Sequence, residues 1–215
     1  MIIIKKIELI IIFIIFVSFF IALFLYPKMP EMMVFHWNCQ GQPDGYLPKF
    51  WALFLMPIIS LCIFPLFIIF PKIDPLGDNI EKFRKYFDMF ILSSFLFLFY
   101  LYFLTIFWNL GLTFNFVMFL IPAFSFLFFW TGILLEKAKR NWFVGIRTPW
   151  TLSNERVWEK THKIGGKLFK ILAIISLLGT IFPNLAIFFL VVPLFLIIIY
   201  LFIYSYLEYK KEIKI

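Results

Sequence analysis

The chain has 215 residues, of which 63% are hydrophobic and 15% are charged, and its mean hydropathy is +0.97. A soluble domain is ordinarily near half apolar and a quarter charged, so the composition excludes an ordinary soluble enzyme or binding module. A net charge of +8 would suggest nucleic acid as the partner of a soluble protein. Here the basic residues gather in short segments between apolar blocks, which the positive-inside rule explains without direct nucleic acid binding.

Apolar blocks of about twenty residues, long enough to cross a ~30 Å hydrocarbon core, follow one another along the chain. The first four blocks cover residues 7–26, 50–70, 87–108 and 116–135. The last stretch, 167–207, is too long for one span, and Pro183 with Asn184 supplies a turn near its middle. We therefore predict an all-α membrane protein with six transmembrane helices, forming a single polytopic domain over residues 1–215. The first block is long for a signal peptide and lacks a cleavage site, so we expect it to be retained as a span.

The distribution of basic residues predicts the orientation of these spans. With six spans, eighteen of the twenty Lys and Arg residues fall on one side of the membrane. Only Lys28 and Lys49 fall on the other side. Because cytoplasmic loops carry the excess of Lys and Arg, we predict that both termini are cytoplasmic and that the protein is a multi-pass protein of the cell membrane.

The segment between the first two spans, within residues 7–49, is the predicted outer loop. Gln42-Pro43-Asp44-Gly45 is typical of a turn, since proline presets one dihedral angle and glycine accepts a positive one. Two interpretations of this loop stay open. It is either a compact cap with Trp37 and Tyr46 as interfacial anchors, or a functional surface. The outer-loop candidates for a functional surface are His36, Trp37, Asn38, Asp44 and Gly45.

Residues 136–166, called the signature loop below, form the predicted cytoplasmic segment with the most information. Gly145 and Pro149 predict an extended or turning backbone. Ser153 is a suitable N-cap for a helix that begins at Asn154 and runs into the fifth span.

A helical wheel of this segment separates two stripes. The basic stripe contains Arg156, Lys160, Lys163, Lys167 and Lys170, and the opposite stripe contains Trp158, Thr161, His162, Gly165 and Phe169. Glu159 and Lys163 have the spacing of an i,i+4 ion pair.

Two interpretations of the signature loop also stay open. One is an amphipathic helix that lies at the membrane surface, with its lysines on lipid headgroups. The other is a polar pocket in which Arg147, Trp150, Trp158, Thr161 and His162 converge. The candidate ligand-binding residues are Arg147, Thr148, Pro149, Trp150, Trp158, Thr161, His162 and Gly165.

The signature loop resembles the SdpI-like family of bacterial membrane immunity proteins. The resemblance lies in Asn-Trp-Phe-Val-Gly-Ile-Arg-Thr-Pro-Trp-Thr-Leu-Ser-Asn at residues 141–154, in Val157-Trp158, and in Thr-His-Lys-Ile-Gly-Gly at residues 161–166. The outer loop, from Pro30 to Lys49, is similar to the module of unknown function that often precedes this family's segment. Together with the spans, the resemblance covers essentially the whole chain.

The resemblance implies a role in immunity. Members of the family protect a producing cell from its own secreted peptide toxin, and they can act as toxin receptors that hold a cytoplasmic repressor, of an ArsR-like kind, at the membrane. The expected partners are therefore membrane lipids, a secreted peptide toxin and such a repressor.

An enzyme and a transporter of a small solute are the alternative function classes. His36 and His162 are the only histidines and are predicted on opposite sides of the membrane, so a shared metal site is not expected. No metalloprotease, phosphate-loop or nucleophile-elbow motif is present, and we assign no catalytic residue and no cofactor. Cys39 and Cys62 have no metal-binding spacing and are interpreted as structural or incidental. A membrane enzyme that uses residues 147–162 remains an alternative. The ionisable residues of the spans lie near their ends, which disfavours an ion pathway through the membrane centre.

Overall fold

The computed structural model of the chain describes residues 6–213. Among these residues, six helices are long and apolar enough to cross a membrane, which confirms the predicted number of spans. These helices are α1 (Lys6–Leu25), α2 (Lys49–Ile73), α4 (Arg84–Asn109), α5 (Phe116–Lys137), α7 (Glu155–Ile181) and α8 (Ala186–Glu212). Two short helices, α3 (Gly77–Lys82) and α6 (Pro149–Ser153), lie in the connections.

The spans pack around apolar clusters. Two of these clusters lie between α1, α2 and α4, and one of the two continues to Leu134 of α5 and Trp158 of α7. A close helix crossing joins α5 to α7. A Cβ placed on Gly166 would lie 2.6 Å from the carbonyl oxygen of Gly132, so the two backbones approach as closely as small residues allow. Lys170 and Glu136 form an ion pair of 2.7 Å beside this crossing.

The outer loop folds as a β-hairpin, which the all-α prediction did not include. Strand β1 (Met32–Trp37) pairs in antiparallel fashion with β2 (Pro43–Pro48). Asn109 holds the hairpin to the end of α4, because its side chain exchanges hydrogen bonds with the backbone N–H and C=O of Val34 (2.8 and 2.9 Å).

The predicted turn at Gln42–Gly45 is wrong, because the chain reverses earlier, over Asn38–Gln42. The side-chain oxygen of Asn38 accepts hydrogen bonds from the N–H groups of Gln40 and Gln42, both at 3.0 Å. Gly41 supplies the positive φ of 76° that the reversal requires. Pro43, Asp44 and Gly45 therefore belong to β2, with bulges beside His36.

The connections lie at two ends of the bundle. At the hairpin end are the β-hairpin and the α4–α5 loop, whose Asn115 donates to the Gln40 carbonyl (3.2 Å). At the opposite end, called the basic end, the α2–α3 connection meets the signature loop. There Asp74 accepts from the Trp142 N–H at 2.8 Å, and Asn79 donates to the Arg140 carbonyl at 2.8 Å. This alternation is the one that six spans require, while the cytoplasmic position of the basic end stays a prediction.

The helix that follows the signature loop is continuous from Glu155 to Ile181, as predicted. Its predicted cap is wrong, however. Ser153 is the last residue of α6, and Asn154 caps α7 by accepting a hydrogen bond from the Val157 N–H (3.1 Å). The short helix α6 forms because Thr148 and Thr151 cap it reciprocally and Pro149 occupies its first turn.

Candidate functional site

The centre of the signature loop is a stacked pair of aromatic rings on α7. The indole of Trp158 and the imidazole of His162 lie 3.9 Å apart at an interplanar angle of 17°. Both side chains are buried. The indole N–H of Trp158 donates to the Ala138 carbonyl at 2.9 Å, which ties the pair to the end of α5.

Both ring nitrogens of His162 are used by the backbone. Its Nε2 lies 2.9 Å from the Ile146 N–H and accepts that hydrogen bond, so Nε2 carries no proton. Its Nδ1 lies 2.8 Å from the Trp158 carbonyl oxygen, which accepts a hydrogen bond from the Nδ1–H. His162 is thus a neutral imidazole fixed in one tautomer, and it has no nitrogen left for a ligand in this arrangement.

Gly145 lets the loop pass directly over this ring pair. Its φ is +117°, and a Cβ at this position would overlap Nε2 of His162. The same Cβ would lie 3.2 Å from the Trp158 ring. Only glycine meets both requirements, the backbone angle and the close approach.

Asn141 organises the first half of the loop, although sequence reasoning did not place it among the site residues. It is fully buried. Its amide nitrogen donates to the carbonyls of Lys139 (2.8 Å) and Val144 (2.9 Å), and its oxygen accepts from the N–H groups of Phe143 (3.0 Å) and Val144 (2.6 Å). The asparagine thus replaces the backbone partners that an irregular buried loop lacks.

A threonine cluster fixes the second half of the loop to α8. Thr151 donates to the Ile146 carbonyl at 2.7 Å and caps α6 together with Thr148. Thr148 also lies 3.0 Å from the hydroxyl of Ser205 on α8. The signature loop therefore joins α5, α7 and α8 into one unit.

The predicted convergence of Arg147 and Trp150 with the buried pair is wrong. Arg147 is exposed and donates to the Trp142 carbonyl at 2.8 Å. Trp150 packs on α8, against the rings of Phe202 and Tyr206. The helical wheel cannot show this, because it omits the irregular segment 142–148 and the short helix α6, which direct these two side chains away from α7.

The remaining predicted residues of the signature loop have different environments. Pro149 is exposed at the first position of α6. Gly165 is buried where Ile146 crosses α7, with 2.5 Å between a Cβ placed there and the Ile146 Cδ1. Thr161 is fully buried, and its hydroxyl has no hydrogen-bond partner within residues 6–213.

The basic stripe of α7 is partly neutralised by acidic residues that sequence reasoning did not connect to it. Lys160 lies 2.9 Å from Glu208 and 3.0 Å from Glu212, both on α8, and Glu208 is only 5% exposed. Glu159 pairs with Lys139 at 2.8 Å, so the predicted pairing of Glu159 with Lys163 is wrong. The sequence did contain a signal for the contact of Lys160 with α8, since Glu208 and Glu212 are the two carboxylates in an otherwise apolar and basic C-terminal helix.

Beside the aromatic pair, the ends of α5 and α7 enclose a cavity of about 420 Å³, called the basic cavity below. Its lining consists of Glu136, Lys137, Ala138, Lys139, Glu159, His162, Lys163 and Lys167. It is a polar pocket next to His162, as the second interpretation expected, but its walls are lysines and glutamates in place of Arg147 and Trp150.

The hairpin end holds the predicted outer-loop residues. His36 and Asp44 form an exposed pair across the strands, with 2.6 Å between Nδ1 and Oδ1. Gly45 lies opposite His36, where a Cβ would approach the histidine Cβ to 2.8 Å. Asn38 shapes the reversal described above. His36 and His162 are thus at opposite ends of the bundle.

Trp37 points into the molecule, which contradicts its interpretation as an interfacial anchor. Its ring stacks on Phe116 at 3.8 Å and meets Trp108 edge-on at 5.9 Å. The indole N–H is buried and has no partner among the described residues 6–213. Trp37 also lines a largely apolar cavity of about 280 Å³ beneath the hairpin, called the hairpin cavity below, together with Phe35, Met56, Phe116 and Ile187.

Comparison with known proteins assigns both regions. Residues 137–205 match the family model of the SdpI/YfhL protein family, and residues 13–61 match a domain of unknown function, DUF1648. The chain is 26% identical over 204 residues to "Immunity protein SdpI" of Bacillus subtilis (strain 168), covering 93% of this chain and 94% of that protein. No solved structure matches the chain.

The family match begins at the end of α5 and ends at Ser205, the α8 residue that Thr148 contacts, so it spans the unit built by the signature loop. The DUF1648 match contains α1 from residue 13 onwards, the hairpin and the first half of α2. Six spans and likeness to a bacterial immunity protein over 93% of the chain establish a multi-pass protein of the cell membrane. Over residues 137–205 the chain therefore matches the SdpI/YfhL protein family, and a DUF1648 match at residues 13–61 precedes that segment.

Proposed function

We propose that this protein is a membrane immunity protein that binds and neutralises a secreted antimicrobial peptide. The observation that carries the proposal is the likeness to "Immunity protein SdpI", which extends over 93% of this chain and 94% of that protein. A likeness of this extent includes the hairpin and the signature loop alike, so it supports a shared function of the complete membrane domain.

The hairpin end is the face at which this protein meets the peptide, because a secreted peptide arrives from outside the cell. The hairpin cavity offers an apolar surface, and the exposed His36 and Asp44 offer polar contacts beside it. The unpartnered N–H of Trp37 is a donor for a peptide carbonyl, since a buried donor without a partner costs free energy until it is satisfied. An amphipathic peptide has both kinds of surface.

The basic end is the face from which the protein signals, in the second part of the proposal. A cytoplasmic repressor of ArsR-like kind would be held there. The exposed groups that the signature loop presents at this end include Trp142 and Arg147. In this proposal, the exposed Arg147 and Trp142 contact the repressor, and the buried aromatic residues of the loop keep its shape fixed.

The test of immunity is a survival assay. A Bacillus subtilis strain that lacks its own SdpI is given this gene or an empty vector, and both are exposed to culture supernatant of a strain that keeps SdpI. We expect survival with this gene and killing with the empty vector. Equal killing of the two strains, with the protein present in the membrane by immunoblot, contradicts the proposed function.

The orientation has a test that uses a natural cysteine. Cys39 is exposed in the hairpin, whereas Cys62 lies on α2 within a span. A membrane-impermeant maleimide added to intact cells should label the wild type and fail to label Cys39→Ser. Labelling that appears only after the cells are opened would place the hairpin end in the cytoplasm and overturn the orientation.

A further inference from the structure

The basic cavity carries an excess of positive charge that the protein does not neutralise. Its lining contains the four lysines 137, 139, 163 and 167 and the two glutamates 136 and 159. Both glutamates are already in ion pairs, Glu159 with Lys139 at 2.8 Å and Glu136 with Lys170 at 2.7 Å. Lys137, Lys163 and Lys167 have no carboxylate partner within residues 6–213.

The fold brings these cations together from two separate helices. Lys163 and Lys167 are four residues apart on one face of α7, a spacing at which like charges destabilise a helix. Lys137 and Lys139 reach the same cavity from the end of α5. Lysines placed only to satisfy the positive-inside rule would repel one another less if they were spread over the surface. These lysines instead surround one cavity.

The cavity lies where α7 changes from a polar to an apolar sequence, as expected at the edge of a membrane. Residues up to Lys163 belong to the polar first part of α7, and the helix becomes mainly apolar from Leu168 onwards. Lys167 and the Lys170–Glu136 pair lie at this boundary. Basic pockets between transmembrane helices at this depth suit the head groups of anionic lipids.

His162 closes one side of the cavity without adding charge. Its two nitrogens are occupied by the backbone of Ile146 and Trp158, so the ring is a neutral wall. Lys139 is paired with Glu159, and the Lys137 ammonium lies 5.6 Å from the centroid of the Tyr86 ring. The ammonium groups of Lys163 and Lys167 are consequently the main donors that line the space. A lysine binds phosphate as a point charge with three donors.

We propose that the basic cavity binds a phosphate group, with Lys163 and Lys167 on α7 as its principal ligands and Lys137 of α5 as a third. Two sources present the same phosphate chemistry, an anionic phospholipid in the leaflet at the basic end and a soluble phosphate ester. The site lies outside the hairpin face and is independent of the proposed immunity function.

The test is native mass spectrometry of the full-length protein in detergent. One arm adds phosphatidylglycerol, a second adds phosphatidylcholine with the same acyl chains, and a third adds sn-glycerol 1-phosphate in solution. We expect one retained phosphatidylglycerol at concentrations where phosphatidylcholine does not bind. Lys163→Gln with Lys167→Gln should weaken this binding roughly 30-fold, the size expected for two lysines near a membrane surface.

The matched control removes the same charge elsewhere at the basic end. Lys72 and Lys85 are exposed and lie outside the cavity. Lys72→Gln with Lys85→Gln should leave phosphatidylglycerol binding within about twofold of the wild type, since neither lysine lines the cavity and exposed charges are screened by salt.

The outcomes decide which of the two phosphate sources binds, and whether the site exists. If sn-glycerol 1-phosphate binds as tightly as phosphatidylglycerol and the cavity variant weakens both, the ligand is a soluble phosphate ester. Equal weakening by the two double variants would mean a diffuse attraction to the whole basic end, and that result overturns the proposal. Unchanged binding by the cavity variant overturns it as well.

Discussion

The signature loop and the hairpin are both connections between spans organised by an asparagine, yet they use their polar side chains in opposite ways. In the signature loop, Asn141 and His162 are buried, and their side chains form hydrogen bonds with the protein's own backbone. In the hairpin, His36 and Asp44 pair with each other in the open, and the buried donor of Trp37 is unused among the described residues. A recognisable sequence motif therefore marks the rigid region, and the exposed hairpin is the region better suited to recognition.

This difference changes how the motif should be interpreted. The residues of the signature loop that sequence reasoning singled out are mostly those that hold α5, α7 and α8 together. Substitutions there should lower stability, and protection should fall only because the folded protein is lost. Substitutions in the hairpin should separate the two properties, and the following four predictions test that separation.

The largest effect on stability is expected from Gly145→Ala. The new methyl group would meet the His162 ring, and the backbone would keep a φ of +117° that alanine disfavours. We expect a loss of about 3 kcal/mol or more, combining backbone strain with displacement of the ring pair. The midpoint of thermal unfolding of the purified protein in detergent measures it.

Gly111→Ala is the control for this prediction. Gly111 also has a positive φ, of +97°, but a Cβ there has no neighbour within 4 Å. Only the backbone strain remains, about 1–2 kcal/mol. Equal losses for the two variants would mean that the approach of Gly145 to His162 contributes nothing to stability.

The second prediction compares two asparagines. Asn141→Ala removes a side chain that serves two N–H groups and two carbonyls in a buried loop, and Asn38→Ala removes one that accepts two N–H bonds in the exposed hairpin. Unsatisfied buried groups cost about 1–3 kcal/mol each, so we expect a loss of about 3 kcal/mol or more for Asn141. Water replaces the partner of exposed groups, and about 1 kcal/mol is expected for Asn38. The same unfolding assay decides, and a larger loss for Asn38→Ala would invert the comparison between the two regions.

The third prediction concerns neighbouring lysines of α7. Lys160→Gln leaves Glu208, 5% exposed, without one of its two cationic partners, so we expect a lower unfolding midpoint. Lys163→Gln makes the same charge change at a lysine that has no carboxylate partner among the described residues. Arg147→Lys changes an exposed side chain, and the lysine can still donate a hydrogen bond to the Trp142 carbonyl. Both should leave the midpoint near that of the wild type. A lower midpoint for Arg147→Lys than for Lys160→Gln would restore the buried arginine cluster that the sequence suggested.

The sequence was sufficient for the spans because twenty-residue apolar blocks identify membrane helices by length and composition alone. It also placed Trp158 and His162 on one face of a helix, since α7 is regular from Glu155 onwards. It could not locate Arg147 or Trp150, because their directions depend on the bend at Gly145 and on packing against Phe202 and Tyr206 of α8, which are distant in the chain. The hairpin register failed for a related reason. The side chain of Asn38 forms the reversal by accepting two backbone hydrogen bonds, and Gly41 supplies the positive φ. Together they prevail over the local turn signal of Pro43-Asp44-Gly45.

The smallest effect on stability, with a large effect on protection, is expected from Asp44→Asn. The variant keeps the size of the side chain and removes a charge from an exposed pair with His36, whose side chains are 43% and 73% exposed. Exposed ion pairs contribute about 0–1 kcal/mol, so the unfolding midpoint should barely move. If the hairpin end meets the peptide, as proposed, loss of this charge should lower survival in the toxin assay.

Asp78→Asn is the control, because it makes the same chemical change at an exposed residue of the basic end, in the first turn of α3. We expect it to protect cells as well as the wild type does, with equal amounts of both proteins in the membrane by immunoblot. Equal protection by Asp44→Asn and Asp78→Asn would exclude the His36–Asp44 pair from the capture face, while protection lost only with Asp78→Asn would move that face to the basic end. The predicted result, stability unchanged in both variants and protection lost in one, is the separation of recognition from folding that the two regions imply.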